Sequence, residues 1–259
     1  MFDGVSAGIL AVLVVVAFVA GVGITTIGPG GIFVTVALYA LTPLSSAEVA
    51  GTAHATFVAT GLVGTAAYRR SGELLDSDGR ALAAVLSVTG IVGALLGSWL
   101  NAMVSRRLFG LLLGATAAFT GLTLAYREWR GLQPAVAVDA TTWRGRATVG
   151  TVGAAIGVAA GLVGVGGPVL TVPALVVLGV PILVGLAAAQ VQSVFISGFA
   201  TAGYLSYDAV SLPFVLLVGV PQLAGVVAGW VIARRVDPGR LKAVLGIVLV
   251  GVGAYLAVA

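Results

Sequence analysis

The sequence predicts an all-α polytopic integral membrane protein, an inverted repeat of two five-segment helical halves, each holding one short or broken half-helix. Three observations predict it: a scarcity of charge, a series of apolar runs of bilayer length, and a diagonal of matching glycines, threonines and tyrosines. Only 8% of the 259 residues are charged and 59% are hydrophobic, with a mean hydropathy of +1.15. An ordinary globular chain carries about 25% charged residues. Nine acids and thirteen bases cannot coat a particle of this size with water-compatible surface, so most of its outside faces hydrocarbon.

The segments follow in order. Apolar runs fall at about 5–27, 80–103, 106–126, 147–165, 211–233 and 239–258, each near the length a helix needs to span a bilayer. The first begins with Asp3 and no base ahead of it, unlike a signal peptide, and is expected to be a membrane segment. Two further stretches, 47–69 and 184–206, are as long but polar inside, with Thr52, His54, Thr56 and Thr60 in one and Gln190, Gln192, Ser193 and Ser197 in the other. Residues 32–41 and 169–178 form helices too short to cross alone. Each follows a glycine-rich break, 28–31 or 164–168, and precedes a proline, Pro43 or Pro181.

These paired features form a repeat. Adding 136 to the residue number pairs Gly21 with Gly157, Gly28 with Gly164, Gly30 with Gly166, Gly31 with Gly167, Thr35 with Thr171, Thr65 with Thr201 and Tyr68 with Tyr204. Past a four-residue deletion the offset is 132 and pairs Gly93 with Gly225, Gly97 with Gly229 and Gly114 with Gly246. The expected division is a first repeat at 1–126, a polar linker at 127–146 and a second repeat at 147–259. Counting the short segments as crossings gives five per half and inverts the second half. One side then receives eleven of the thirteen bases and the other only Arg106 and Arg107; four crossings per half would split them seven to six. The positive-inside rule therefore favours five plus five, a multi-pass plasma-membrane protein with both termini outside the cytoplasm.

Composition also removes functions. The chain has no cysteine and one histidine, so disulfides, thiolate nucleophiles and multi-histidine or cysteine metal sites are excluded. No cofactor is expected, and no nucleophile and base pair suggests an enzyme. The bases are dispersed with no aromatic interleaving, which argues against nucleic acid. Neither glycine break continues into Lys-Ser or Lys-Thr, so a phosphate loop is not expected.

The candidate site comprises the breaks and the polar helix faces. Gly28, Gly30 and Gly31, with Gly164, Gly166 and Gly167, let backbone approach a small oxyanion at a half-helix N-terminus; the alternative is that they only permit close packing. Pro168 suits a first helical turn. His54 and its counterpart Gln190 lie deep in their helices. His54 is open to two readings, proton coupling or ligand contact against a neutral ring bonded to a neighbouring helix. Thr52 and Thr56, with Gln192, Ser193 and Ser197, supply uncharged hydrogen bonds, although hydroxyls also bond to their own helix. Glu48 fits a helix start, with a pathway mouth as the alternative, and Gln222 beside Pro221 is either a further deep polar candidate or a stabiliser of a proline kink.

Gly28-Pro-Gly-Gly-Ile-Phe-Val-Thr-Val, then Leu-Thr-Pro, then Glu48-Val-Ala-Gly-Thr52, resembles the first-half signature of the sulfite exporter TauE/SafE family. Gly164-Val-Gly-Gly-Pro-Val-Leu-Thr-Val-Pro and Gly225-Val-Val-Ala-Gly are similar to its second half. This chain departs from the pattern at Pro29, at Ala53-His54, and at Gln190 and Gln192. The resemblance implies a plasma-membrane permease for sulfur oxyanions or organosulfonates such as sulfite or sulfoacetate. The expectation is therefore a secondary transporter working by alternating access. Its partners would be a small anion, the lipid bilayer and a coupling proton or cation. An anion channel and a non-transporting membrane assembly protein are the alternatives.

Overall fold

In hydrocarbon a backbone has no water to bond, so apolar runs of bilayer length close their hydrogen bonds within helices. A computed structural model describes residues 2, 4–72, 77–130, 138–139, 141–232 and 238–258. Its described residues form α-helices and one 3-10 turn, with no strand. The first half holds α1 (Ala7–Thr26), the 3-10 turn Pro29–Gly31, α2 (Ile32–Leu41), α3 (Ser46–Ser71), α4 (Ser77–Asn101) and α5 (Arg106–Arg130). The second holds α6 (Trp143–Val163), α7 (Gly167–Val177), α8 (Ile182–Leu205), α9 (Leu212–Ile232) and α10 (Pro238–Val258). Among the described residues five helices, α1, α4, α6, α8 and α9, are long and apolar enough to cross a membrane. This is an all-α multi-pass membrane protein.

Helix ends follow local chemistry. Ser45 and Glu48 form a capping box at the start of α3, with Ser45 N–H donating to Glu48 Oε2 at 2.8 Å and Glu48 N–H to Ser45 Oγ at 3.3 Å. Glu48 is thus the helix-start residue its position suggests. α5 runs on to Arg130 and α6 begins at Trp143, so the connection is shorter than the polar stretch 127–146. Residues 131–137 and 140 of that stretch, and Arg234 and Arg235, lie outside the described residues.

α1 and α2 make a hairpin. At about 1.5 Å per residue α2 is only about 15 Å long, and it returns toward the face where α1 began. That face is marked by Phe2 against Phe214, rings 5.1 Å apart, by Ser211 N–H on Thr52 Oγ1 at 3.0 Å, and by Tyr207 O–H on Ser98 O at 2.7 Å. Arg106 closes the end of α2 there, donating to Tyr39 O at 2.7 Å, to Thr42 O at 3.2 Å and to Leu44 O. A cation at a helix C-terminus offsets the negative end of its dipole. The opposite face holds Arg69 and Arg80 on one groove and Val138 N–H on Leu178 O at 3.2 Å, just past α7. α7 thus points opposite to α2, and the second half runs inverted.

The halves interlock. α1 packs on α9, α4 on α6, α3 on α8, and α5 on α10, so each half gives its fourth helix to the other half's first. Glycines permit these crossings. A β-carbon at Gly225 would lie 2.0 Å from Phe18 O, and one at its counterpart Gly93 would lie 2.3 Å from Ala154 O, the counterpart of Phe18. A β-carbon at Gly121 would lie 2.7 Å from Gly246 O, and one at Gly253 would lie 2.7 Å from Gly114 O. The repeat diagonal therefore carries over into paired contacts.

Candidate functional site

The breaks are built by conformation. Gly28 has φ 108° and Gly164 φ 71°, left-handed values that favour glycine at both places. Ile27 and Gly28 N–H both donate to Gly23 O, at 3.1 and 3.0 Å, ending α1; Gly164 and Val165 N–H both donate to Ala160 O, at 2.9 and 3.3 Å, ending α6. Neither α2 nor α7 has a side-chain cap, their N-cap residues being Gly31 and Gly166. Prolines free further carbonyls, and threonines take them. Pro173 has no N–H for Val169 O, which instead accepts from Thr120 Oγ1 at 3.3 Å. The Thr35 hydroxyl donates to Gly164 O, tying α2 to the other break.

The two half-helix starts meet at a small enclosed chamber lined by Gly28, Gly31, Gly166 and Pro168 from the breaks, by Thr60 from α3, and by Gln190 and Ser193 from α8. Ile24, Phe57 and Val169 complete its wall. Its volume is about 10 Å³, room for about one water. An oxyanion enters only if the walls move. Gln190 is buried, its Nε2 donates to Ile24 O at 3.3 Å, and its Oε1 has no partner.

Of the residues singled out in sequence, Gly28, Gly31, Thr60, Gly166, Pro168, Gln190 and Ser193 line the chamber. The others stand outside its lining. A β-carbon at Gly30 would lie 2.4 Å from Ala20 O, and one at Gly164 2.4 Å from Ala50 Cα, so both stand at close helix contacts; Gly167 lies against Ser193, where a β-carbon would be 3.1 Å from Ser193 Cα. Thr52 accepts from Ser211 N–H. Thr56 donates to Ala53 O in its own helix at 2.8 Å. Gln192 accepts from the Thr171 hydroxyl and donates to Leu86 O at 3.3 Å. Phe57, whose ring faces Gly31 and Gly166, was missed because an aromatic in an apolar helix carries no signal beyond its spacing from Thr60.

His54 is fully buried with Nε2 3.0 Å from Ala160 O and Nδ1 3.2 Å from Ser197 Oγ. A carbonyl only accepts, so Nε2 carries a proton, and a neutral ring then accepts from the Ser197 hydroxyl. The bond has a counterpart across the repeat. His54 and Ala160 correspond to Gln190 and Ile24 at the 136 offset, and Gln190 Nε2 holds Ile24 O. Tyr68 and Tyr204 repeat the device, donating to Thr25 O at 3.0 Å and to Gly161 O at 2.7 Å. Each polar helix thus latches the ends of both first helices, α1 and α6.

A sequence profile described as Sulfite exporter TauE/SafE matches residues 13–256, nearly the whole chain. The chain belongs to the sulfite exporter TauE/SafE family. A "Probable membrane transporter protein ORF9" from Sinorhizobium sp is 34% identical over 90 residues, covering 35% of this chain and 34% of that relative. The alignment thus spans about a third of the curated relative's length. No solved structure matches. For this TauE/SafE chain, the breaks and the chamber they line lie where the two repeats meet.

Proposed function

We propose that this protein is a secondary transporter for a small anion of the sulfur oxyanion or organosulfonate class, bound where the two half-helices begin. One observation carries the reading: two uncapped helix N-termini, pointing in opposite directions, converge on one enclosed chamber. Each turns the positive end of its helix dipole toward the chamber, the arrangement expected of inverted-repeat transporters. Family membership supports the substrate class.

Interlocking changes what moves. Rocking residues 1–126 against 147–259 would tear α1 from α9 and α4 from α6. The bodies that fit the packing are α1, α2, α3 and α9 on one side and α6, α7, α8 and α4 on the other, meeting along α3 and α8. Sliding at that seam opens the chamber to one face and then the other. The base-rich face is cytoplasmic and both termini are outside; an N-terminal tag protected from impermeant reagents in intact cells would reverse this orientation.

Purified protein in liposomes is expected to move labelled sulfite or a sulfonate with saturable, counter-ion-dependent kinetics. Non-saturating flux would indicate a channel. Absence of flux across a broad panel of small anions would remove the transport reading.

A further inference from the structure

We infer that the chamber selects a monoanion that still carries its own proton, hydrogensulfite rather than the sulfite dianion; the inference rests on the transport reading above. Charge comes first. A helix N-terminus is worth roughly half a positive charge, so the two half-helices together offset roughly one negative charge. Nothing among the lining residues adds to that, since they are apolar side chains, glycines, a proline, two hydroxyls and one amide. A second negative charge in a closed chamber of this kind would go uncompensated, and isolated buried charge is costly.

The second observation is the unmatched acceptor. Gln190 lines the chamber and is 1% exposed; its Nε2 is committed to Ile24 O, while its Oε1 is buried without a donor. It lies on the α3 side, where a β-carbon at Gly64, one turn beyond Thr60, would be 2.5 Å away. A buried acceptor without a donor is a cost that native structures rarely leave standing. A fully deprotonated oxyanion has only acceptors and worsens it; the hydroxyl of hydrogensulfite supplies the missing proton.

The titratable groups nearby do not replace this proton. On α3 they are His54, bonded to Ala160 and Ser197, and Tyr68, on Thr25 O; on α8 it is Tyr204, on Gly161 O. α1, α7 and α9 carry no charged or titratable side chain within their helices. Glu48, Arg69 and Arg70 sit at the ends of α3, Tyr39 near the end of α2, and Arg106 and Arg107 at the start of α5.

The test is proteoliposome flux of labelled sulfite across neutral pH, beside labelled methanesulfonate, a monoanion at every pH used and without an acidic proton. Sulfite flux at fixed total sulfite is expected to follow the hydrogensulfite fraction, falling toward tenfold per pH unit above the second ionisation, while methanesulfonate flux stays level. Sulfate is expected to be excluded. Replacing Gln190 with leucine should narrow the preference for hydrogensulfite over methanesulfonate by roughly fivefold, the worth of about one hydrogen bond, a ratio that general loss of folded protein does not move. Sulfite flux that is level or rises with pH, ready sulfate flux, or an unchanged ratio in Gln190→Leu would overturn the inference while leaving transport standing. No flux of any anion would instead remove the transport reading on which it rests.

Discussion

Replacing His54 with glutamine separates a ring that titrates from a ring that only bonds. In the other half Gln190 already makes the corresponding bond, Nε2 to Ile24 O at 3.3 Å against 3.0 Å for His54 Nε2 to Ala160 O. His54→Gln therefore keeps the bond to Ala160 and disturbs the contact with Ser197, a cost of about 1 kcal/mol for one net hydrogen bond. His54→Ala leaves the Ala160 carbonyl and Ser197 hydroxyl without that partner at a buried site and opens a cavity, about 3 kcal/mol or more. For a chain of this size the midpoints should fall by about 2–4 °C and about 6–12 °C respectively. Thermal melts in detergent and sulfite flux from liposomes check this. The glutamine variant should transport with the wild-type pH profile. A glutamine variant that melts like wild type but moves no sulfite, or loses its pH dependence, would refute the argument and make His54 a proton-coupling group.

Gly166→Ala should fold, because its β-carbon meets Phe57 at an ordinary 3.4 Å, with stability within about 1 kcal/mol. The same methyl intrudes on the chamber, so flux should be largely lost; unchanged flux would detach the chamber from transport. Gly225→Val, driven into Phe18 O, should instead fail to assemble, seen as aggregation on size-exclusion chromatography. Gln222 is buried with neither amide atom partnered, so Gln222→Leu should raise the melting midpoint, by about 1–2 kcal/mol of stability; a lower midpoint would point to an ordered water. Arg106→Gln should weaken the closure of α2 by about 1 kcal/mol, measured as faster amide exchange at its C-terminal end, and unaltered exchange would count against the capping role.

Helix positions were legible because apolar length is dictated by the bilayer, and the glycine breaks because no other residue fits φ 108° and 71° easily. The inverted order of the halves was legible in the placement of the arginines and glycines. The exchange of α4 and α9 was not. It is a pairing between residues as far apart as Phe18 and Gly225, and the repeat diagonal fits side-by-side halves equally well. The candidate site was mixed for a related reason. Thr52, Thr56, Gln192 and Ser197 bond to neighbouring groups of the protein, and composition cannot distinguish such bonding from binding a solute. Gly30 and Gly164 look like Gly28 and Gly166 in sequence, yet what decides their use is which atom stands 2.4 Å from an absent β-carbon.

The embrace between α1 and α9 also sets a timetable for biogenesis. α1 is complete at residue 26 and its partner begins at residue 212, a delay of roughly 10–40 s at ordinary rates of synthesis. Throughout that interval the α1 face that α9 covers stands open to lipid, and α1 is the most apolar and least buried of the five candidate spans. α6 meets α4 as soon as it emerges. α1 is thus suited to waiting, and the late arrival of α9 completes its packing.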